Sequence, residues 1–292
     1  MRADRYSYDW PMGRVALLTN PESGSGEAAS VEQELRALGA DLSLHPIQKP
    51  ESALEDEPER IVVAGGDGSV GPAAAVASRA RIPLAVVPVG TANDFARALG
   101  IPDDPAAACR IAAGGTRTRR IELGRMDERP FVNVASLGLP PAAAQRSGGL
   151  KRWLGALSYT VGAIRAGLTA RPVTCRVADG DAGELYSGPA WQATLACSGA
   201  FGGGSQVDAD PADGLLDAVV VAAGSRVRLV ALAYGLRAGG LARQRGVHSR
   251  RAASFEVEVG PRTPFNVDGE LCTRSGLVEF TIDPHPVDVV VG

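Results

Sequence analysis

A glycine-rich turn in the first third of the chain has the residue types that bind phosphate. It follows an uncharged, β-branched run at 61–64, and its members are Gly65, Gly66, Asp67, Gly68 and Ser69. Glycines permit positive φ and let backbone N–H groups come close to an anion. The alanine-rich segment 72–79, which starts with Pro72, predicts a helix whose N-terminus lies beside this turn.

A second turn repeats the pattern one strand later. Residues 84–87 form another apolar run, and Gly90 and Thr91 follow it. Asn93 or Asp94 then stands where a side chain could cap the next helix. In an open α/β sheet, ligands bind at the edge where the strands end, so we expect both turns to face one ligand there.

Two carboxylates flank a glycine near the end of the chain. Asp268 and Glu270 follow a strand pattern at 265–267 and enclose Gly269. A carboxylate beside a substrate hydroxyl can accept its proton during phosphoryl transfer. Because Asp-Gly is also a common turn pair, a solvated hairpin turn stays open as the alternative.

A further group of acids follows the glycines at 202–204. Its members are Asp208, Asp210, Asp213 and Asp217. Closely spaced carboxylates suit a hard cation, although the spacing does not fit an EF-hand loop. The alternative is an acidic turn of the Asp-Pro and Asp-Gly type.

The elements that must position these residues change character along the chain. Strands at 15–19 and 42–44 alternate with helices at 28–38 and 105–113. From about residue 118 strands dominate, at 131–137, 173–178, 191–198, 216–221, 255–259, 265–267 and 277–282. The pattern predicts an α/β domain and then a β-sandwich, which helices at 150–168 and 226–237 interrupt.

This change of rhythm sets the expected domain organisation. We expect a loose tail at 1–12, an α/β domain at 13–125 and a β-sandwich domain at 126–292. The last strand could pack back on the first domain. At 292 residues the chain is long for one hydrophobic core, which agrees with two domains.

Composition and charge argue against several classes of protein. The formal net charge of -3 disfavours a nucleic-acid-binding protein. No uncharged apolar run has the length that crosses a bilayer, and the opening segment lacks the apolar region of a signal peptide. The 4 cysteines show no zinc-ligand spacing, so we expect reduced, mostly buried thiols in the cytoplasm.

One interval is strongly asymmetric in charge. Between Asp217 and Glu256 there is no acidic residue, while the interval holds Arg226, Arg228, Arg237, Arg243, Arg245, Arg250 and Arg251. Each nearby arginine can add about 1 kcal/mol of attraction to an anionic membrane leaflet. A solvated face is an equal alternative.

At these motifs the sequence resembles a known family. GGDGS at 65–69 with PVGTANDFARALGIP at 88–102 is similar to the bacterial soluble lipid kinases of the diacylglycerol kinase family, in particular its YegS-like group. NPESG at 20–24, FVNVA at 131–135 and FNVDGE at 265–270 extend the resemblance from about residue 15 to the end. It implies an N-terminal α/β domain like that of NAD kinases and phosphofructokinases, which binds the nucleotide, and a C-terminal β-sandwich domain for the lipid.

The resemblance also implies an activity and its residues. The γ-phosphate of ATP would pass to the hydroxyl of diacylglycerol, phosphatidylglycerol or a related lipid, met peripherally at the inner face of the membrane. Glu270, with Asp268, would accept the proton. The nucleotide would contact Asn20, Pro21, Ser23, Gly24, Gly65, Gly66, Asp67, Gly68, Ser69, Gly90, Thr91 and Asn93.

Magnesium ions are the second cofactor that the resemblance implies. Asp67 and Asp94 would order Mg²⁺ at the nucleotide. A structural Mg²⁺ would take the carboxylate of Asp213 and the backbone carbonyls of Asp210 and Leu215.

The chain departs from the family pattern at several positions. Gly71 and Pro72 replace a polar pair after the first turn, and Glu122 stands where an Asp is usual. Segment 46–59 is too short for a full crossover helix between parallel strands. Two other functions therefore stay open: a weakly active or inactive relative that senses a nucleotide or lipid, and an NAD-kinase-like enzyme with a soluble substrate.

Overall fold

The computed structural model of the protein consists of two compact units. It describes residues 13–20, 26–139, 171–197, 200–201, 205–206, 213–225 and 246–292. The expected tail at 1–12 and the predicted helices at 150–168 and 226–237 lie outside these residues. The first unit combines Met1–Ile121 with His285–Gly292, and the second is Glu122–Pro284.

A six-stranded sheet forms the centre of the first unit. Its strands are β1 (Arg14–Thr19), β2 (Asp41–Pro46), β3 (Arg60–Gly65), β4 (Leu84–Pro88), β5 (Arg117–Ile121) and β17 (Val287–Val291). Their order across the sheet is β2-β1-β3-β4-β17-β5. The first four are parallel, and β17 runs parallel to β4 and antiparallel to β5. The apolar runs that predicted these strands are buried because the parallel strands lie inside the unit.

The helices of the first unit follow its strands. They are α1 (Glu27–Ala37), α2 (Asp67–Ala80), α3 (Asp94–Ala98) and α4 (Pro105–Gly114). The short segment between β2 and β3 holds only a 3₁₀ helix, Pro50–Leu54. As its length led us to expect, this crossover covers the sheet thinly, and Leu44 and Leu54 remain exposed.

Helix α2 begins earlier than the sequence predicted. It starts at Asp67, inside the glycine-rich turn, and Pro72 lies within the helix rather than at its first position. Pro72 cannot donate a hydrogen bond to the carbonyl of Gly68, a defect that costs up to about 3 kcal/mol in a helix. Burial of Val70 and of the alanines that follow offsets this cost. Tertiary packing therefore overrides the local signal of the proline.

The second unit is built mainly of antiparallel strands. They are β6 (Gly124–Met126), β7 (Arg129–Phe131), β8 (Val134–Gly138), β9 (Val173–Asp179), β10 (Gly183–Ala196), β13 (Leu216–Ala222), β14 (Val247–Ala252), β15 (Ser254–Val267) and β16 (Glu270–Ile282). The order is β14-β13-β10-β8-β15-β16-β6-β7, and β9 pairs with β10 and β15. Two short strands, β11 (Ala200–Phe201) and β12 (Ser205–Gln206), pair separately. The β-sandwich-like domain predicted from the sequence is confirmed.

Two strand predictions differ from the structure. Segments 255–259 and 265–267 belong to one strand, β15, because an irregularity between Val259 and Thr263 lets the pairing with β16 continue. The predicted strand 131–137 is interrupted at Val132 and Asn133. Their backbone N–H groups bond to a side chain instead of a neighbouring strand.

Four phenylalanines fill the core of the second unit. Phe131, Phe255, Phe265 and Phe280 are almost completely buried. Phe131 meets Phe280 edge to face, with 6.4 Å between the ring centres. These apolar residues come from β7, β15 and β16, so the core joins strands that are far apart in sequence.

The cysteines are free thiols, as the sequence led us to expect. Cys109, Cys175 and Cys197 are buried and Cys272 is half-buried. Burial raises the pKa of Cys109 and of Cys175 to about 11. At neutral pH these two side chains are therefore protonated and act as small apolar groups.

The boundary between the units lies slightly before the sequence boundary at 125/126. Strand β6 pairs with β16 of the second unit, so residues 124–126 belong there. The last strand, β17, lies between β4 and β5 in the first sheet. Ser78 fixes the approach to β17, because its hydroxyl donates to the carbonyl of His285 at 2.5 Å.

The arginine-rich interval is only partly described. Arg250 bonds Asp179 at 2.7 Å, and Arg251 bonds both Asp213 and Asp217. These two arginines are thus paired with acids, and the other five lie outside the described residues. Every helix within the described part of the chain is too short or too polar to cross a bilayer.

Arg60 joins two elements of the first unit. Its guanidinium donates to the carbonyls of Ala112 at 2.5 Å, Ala113 at 3.1 Å and Gly115 at 2.8 Å, at the end of α4. These are carbonyls of the last helical turn, which lack partners within the helix. Partial burial lowers the pKa of Arg60 from its ordinary value, yet the group remains charged.

Replacement of Arg60 should therefore destabilise the first unit. We expect Arg60→Met to lower the free energy of unfolding by about 2 kcal/mol, because it leaves the carbonyls at the helix end without donors. Urea unfolding followed by circular dichroism measures the change. Arg14→Gln, in an exposed pair with Glu57, is the matched control and should cost less than about 1 kcal/mol. Equal stability of Arg60→Met and wild type would contradict this role.

Candidate functional site

The two glycine-rich turns of the first unit touch each other. A Cβ atom on Gly90 would lie 2.5 Å from the Cα of Gly66, and one on Gly65 would lie 2.6 Å from the Cβ of Ser69. Such distances are shorter than any ordinary contact. Glycine is therefore required at Gly90 by the close approach of the Gly66 backbone and at Gly65 by the side chain of Ser69.

Asp67 links the first turn to helix α3. Its two carboxylate oxygens accept from the backbone N–H groups of Asp94 at 3.1 Å and Phe95 at 2.8 Å. These are N–H groups of the first turn of α3, which have no partner within the helix. The carboxylate therefore caps α3 from the first residue of α2 and fixes the relative position of both turns.

Asn93 does not cap the helix as the sequence predicted. It precedes α3 but has φ 52°, in the left-handed region, and makes no capping bond. Its side chain instead accepts from the N–H of Gly90 at 3.0 Å and donates to the carbonyl of Gly90 at 3.0 Å. The correction has a simple physical reason: the helix donors are already taken by Asp67, so Asn93 closes the second turn upon itself.

The first unit thus presents backbone donors at one edge of its sheet. Gly68 and Ser69 lie in the first turn of α2, where N–H groups point out of the helix, and Thr91 is exposed in the second turn. The N–H of Ser69 bonds the carbonyl of Gly66 at 2.9 Å, which tightens the turn. Backbone N–H groups at a helix start and a nearby hydroxyl are suited to an anion such as a phosphate.

Asn20 stands at the end of β1 in the same sheet. Its Oδ1 accepts from Nε2 of Gln48 at 2.9 Å. Sequence reasoning missed Gln48. The signal for it would have been its place two residues after the end of β2, at the same strand edge as Asn20. The other residues expected in this loop, Pro21, Ser23 and Gly24, lie outside the described residues.

Asp268 accepts several hydrogen bonds within the second unit. It is buried, and its carboxylate accepts three backbone N–H groups: Val132 at 2.7 Å, Asn133 at 3.0 Å and Val134 at 2.9 Å. Its own N–H donates to the carbonyl of Val134 at 3.0 Å. Three donors offset the desolvation of the charge. The geometry is that of a carboxylate that holds a backbone segment in place.

Glu270 has a different environment two residues later. Its side chain is exposed, and Oε2 bonds Nη2 of Arg129 at 2.6 Å. The turn before it is closed by Asn266, whose Oδ1 accepts from the N–H of Gly269 at 2.8 Å. Of the two acids in this turn, Glu270 is therefore the one whose carboxylate is exposed.

The acidic turn of the second unit is only partly described, since Asp208 and Asp210 lie outside the described residues. Asp213 accepts from the N–H of Leu215 at 3.0 Å and pairs with Arg251, and Glu122 accepts from the N–H of Gly214 at 2.7 Å. The Glu that replaces the usual Asp thus holds the turn.

Asp217 lies beside this turn and is buried. Its Oδ2 has no hydrogen-bond partner in the described part of the chain. Burial raises the pKa of Asp217, and Arg251 at 3.2 Å offsets this only in part. A buried carboxylate oxygen without a donor fits a cation in this cluster, where Arg251 is the counter-charge that Asp213 and Asp217 share. No set of three or more metal-binding side chains occurs within the described ranges.

The structure brings the sequence-predicted residues together within each unit. In the first unit Gly65, Gly66, Asp67, Gly90 and Asn93 form one bonded arrangement. In the second unit, Asp268 and Glu270 lie in one turn, and the segment that starts at Arg129 bonds to both of them. The turn of Asp213 and Leu215 is a separate arrangement that bonds to Arg251 and Glu122.

The bonds of Asp268 predict a strong effect on stability. We expect Asp268→Asn to lower the free energy of unfolding by about 3 kcal/mol, since the amide presents N–H groups to backbone N–H donors. Glu270→Gln, an exposed acid of the same turn, should change it by less than about 1 kcal/mol. Thermal and urea unfolding compare the three proteins. Wild-type stability of Asp268→Asn would show that the buried carboxylate is not a structural anchor.

Comparison with known sequences matches both units of the chain to family models. Residues 14–126 match the family described as diacylglycerol kinase catalytic domain, and residues 133–291 match the YegS C-terminal NAD kinase beta sandwich-like domain. A diacylglycerol kinase of Mycobacterium tuberculosis is 30% identical over 269 residues, which cover 85% of each chain. One of Bacillus subtilis is 28% identical over 277 residues, which cover 89% of this chain and 90% of that protein.

Solved structures agree at the level of the fold. A diacylglycerol kinase from Bacillus anthracis superposes with a TM-score of 0.73 over 96% of this chain and 97% of that chain, at 21% identity. An NAD kinase from Archaeoglobus fulgidus in complex with ATP superposes with a TM-score of 0.51 at 13% identity, over 95% of this chain and 93% of that chain. The sequence matches cover both units, and the chain belongs to the diacylglycerol kinase family, whose members are phosphotransferases with an alcohol group as acceptor.

Proposed function

We propose that the protein is an ATP-dependent lipid kinase that transfers the γ-phosphate to a lipid hydroxyl. The observation that carries this proposal is the contrast between the two acids of one turn. Asp268 is buried and accepts three backbone hydrogen bonds, while the side chain of Glu270 is exposed and paired with Arg129. A fixed, accessible carboxylate is what proton acceptance from an alcohol requires.

The nucleotide would be bound by the first unit. Backbone N–H groups of Gly66 and Gly68 and the hydroxyl of Ser69 would contact its phosphates, with Thr91 and Asn20 nearby. Asn93 would act indirectly, because its amide holds Gly90. The chain holds no lysine in these turns, so backbone donors carry the interaction with phosphate.

The chemical step is an in-line displacement at the γ-phosphorus. The lipid oxygen forms a bond to phosphorus as the bond to the ADP oxygen breaks, and Glu270 takes the hydroxyl proton. Asp268 contributes by fixing the turn. Mg²⁺ would offset the phosphate charge, with Asp67 and Asp94 as its neighbours at the nucleotide, and Asp213, Asp210 and Leu215 as a structural site beside Asp217.

The acceptor in this proposal is diacylglycerol, phosphatidylglycerol or a related lipid. A protein with such a substrate meets it at the membrane surface, so we place its action on the cytoplasmic face as a peripheral protein. In this scheme the second unit would receive the acyl chains.

Transfer of labelled phosphate tests the proposal. Purified protein with Mg²⁺ and γ-labelled ATP is offered dispersed diacylglycerol, phosphatidylglycerol and ceramide, and NAD as a soluble acceptor. We expect label in one lipid class and a loss of about 100-fold or more in Glu270→Gln. Glu256→Gln, an exposed glutamate on β15, should keep full activity. Label in NAD alone, or in no acceptor, would refute the lipid kinase.

The close contact of the two turns predicts a defect in nucleotide binding. We expect Gly90→Ala to weaken ATP binding by at least about tenfold, because its Cβ would displace the backbone of Gly66 and the N–H groups beside it. Isothermal titration calorimetry measures the dissociation constant. Gly180→Ala is the control, since the nearest atom to its Cβ is 3.9 Å away. Unchanged affinity of Gly90→Ala would remove these turns from the nucleotide site.

A further inference from the structure

Segment 129–134 is attached to the turn of Glu270 at two points. Its backbone donates three hydrogen bonds to Asp268, from Val132, Asn133 and Val134. Its first residue, Arg129, reaches the other acid of the turn with its guanidinium. The two attachments lie on either side of Gly269, so segment 129–134 holds both the backbone of the turn and the side chain of Glu270.

The contact between Arg129 and Glu270 leaves one carboxylate oxygen available. Nη2 of Arg129 lies 2.6 Å from Oε2, and no described residue bonds Oε1. A glutamate side chain has three rotatable bonds, and 58% of this one is exposed. Without a partner its carboxylate would sample many orientations. The guanidinium restricts these and leaves Oε1 as the acceptor.

We propose that Arg129 is a positioning residue for Glu270 in the phosphoryl-transfer reaction. This inference rests on the proposed function. Arg129 holds Oε2 in a charge-assisted bond, and Oε1 takes the proton of the lipid hydroxyl as the oxygen attacks phosphorus. The proton moves from the hydroxyl to Oε1, and no further group gains or loses one.

Arg129 acts on Glu270 mainly through orientation. The attraction within a half-exposed ion pair changes an equilibrium by no more than about fivefold. Loss of alignment between base and substrate can cost about 100-fold in rate. Orientation therefore dominates, and removal of the guanidinium should slow the reaction.

A second ion pair in the same unit provides the matched control. Arg274 bonds Asp127 at 3.0 Å, and the exposed fractions of the two side chains are 31% and 37%, against 28% for Arg129. Both pairs join strand β16 to the region of β6 and β7. Of the two pairs, only Arg129–Glu270 includes a residue to which we assign a role in phosphoryl transfer.

Steady-state kinetics with varied ATP and saturating dispersed lipid test the inference. We expect Arg129→Ala to lower kcat by about 10- to 100-fold with KM for ATP changed less than twofold. Arg129→Lys should recover at least one third of the wild-type kcat, because the ammonium also pairs with a carboxylate. Arg274→Gln should match wild type, and thermal unfolding should give Arg129→Ala and Arg274→Gln similar midpoints.

The outcomes separate this inference from the function on which it rests. An active wild type with an equally active Arg129→Ala overturns the positioning role and leaves the kinase intact. Two results would make the role structural and also overturn the inference. One is a loss of kcat in Arg129→Ala that Arg129→Lys does not restore. The other is a loss of kcat with an unfolding midpoint well below that of Arg274→Gln. A wild type that transfers phosphate to no lipid overturns both.

Discussion

The buried carboxylate of Asp268 is the interaction on which the second unit depends most. An ionised carboxylate loses its hydration on burial, and only strong donors compensate for that loss. Here three consecutive backbone N–H groups do so, and they are available because strand pairing stops at 132–133. Three features follow from the bonding of this carboxylate: the interruption between β7 and β8, the turn between β15 and β16, and the position of Glu270. The thiol of Cys197 lies close by, and burial with the charge of Asp268 raises its pKa well above the ordinary value.

The first unit uses the same device at its own turn. Asp67, like Asp268, stands next to glycine, and its carboxylate accepts backbone N–H groups from another segment, those of Asp94 and Phe95. An aspartate is short, so its carboxylate lies close to the backbone and fixes the geometry of a turn with little freedom. The glycines beside it serve close approach, as between Gly66 and Gly90. In both units the aspartate of the glycine motif, Asp67 or Asp268, holds the backbone in place, and groups next to it remain accessible.

In the acidic cluster of the second unit, the negative charges of Asp213 and Asp217 are compensated unequally. Arg251 lies across from Asp217 on neighbouring strands and pairs with Asp213 as well, so one guanidinium serves two carboxylates. Burial raises the pKa of Asp217 because this single cation does not fully replace water. Pairing of Arg250 and Arg251 with acids distant in sequence also explains why an acid-free stretch of the chain does not create a uniformly basic surface.

The sequence alone determined the family, the order of α/β domain and β-sandwich, and the two glycine-rich turns, because these depend on local apolar runs and on glycine spacing. It did not determine the start of α2, since burial of the helix outweighs the local effect of Pro72. It also did not reveal which acid is available in the pair Asp268 and Glu270. That distinction depends on donors from 132–134 and on Arg129, which lie more than a hundred residues earlier and approach the turn only through strand pairing. The bonds of Asp67 to α3 and of Gln48 to Asn20 have the same origin. Local pattern sets which residues occur in a turn, and long-range hydrogen bonding decides what each side chain is free to do.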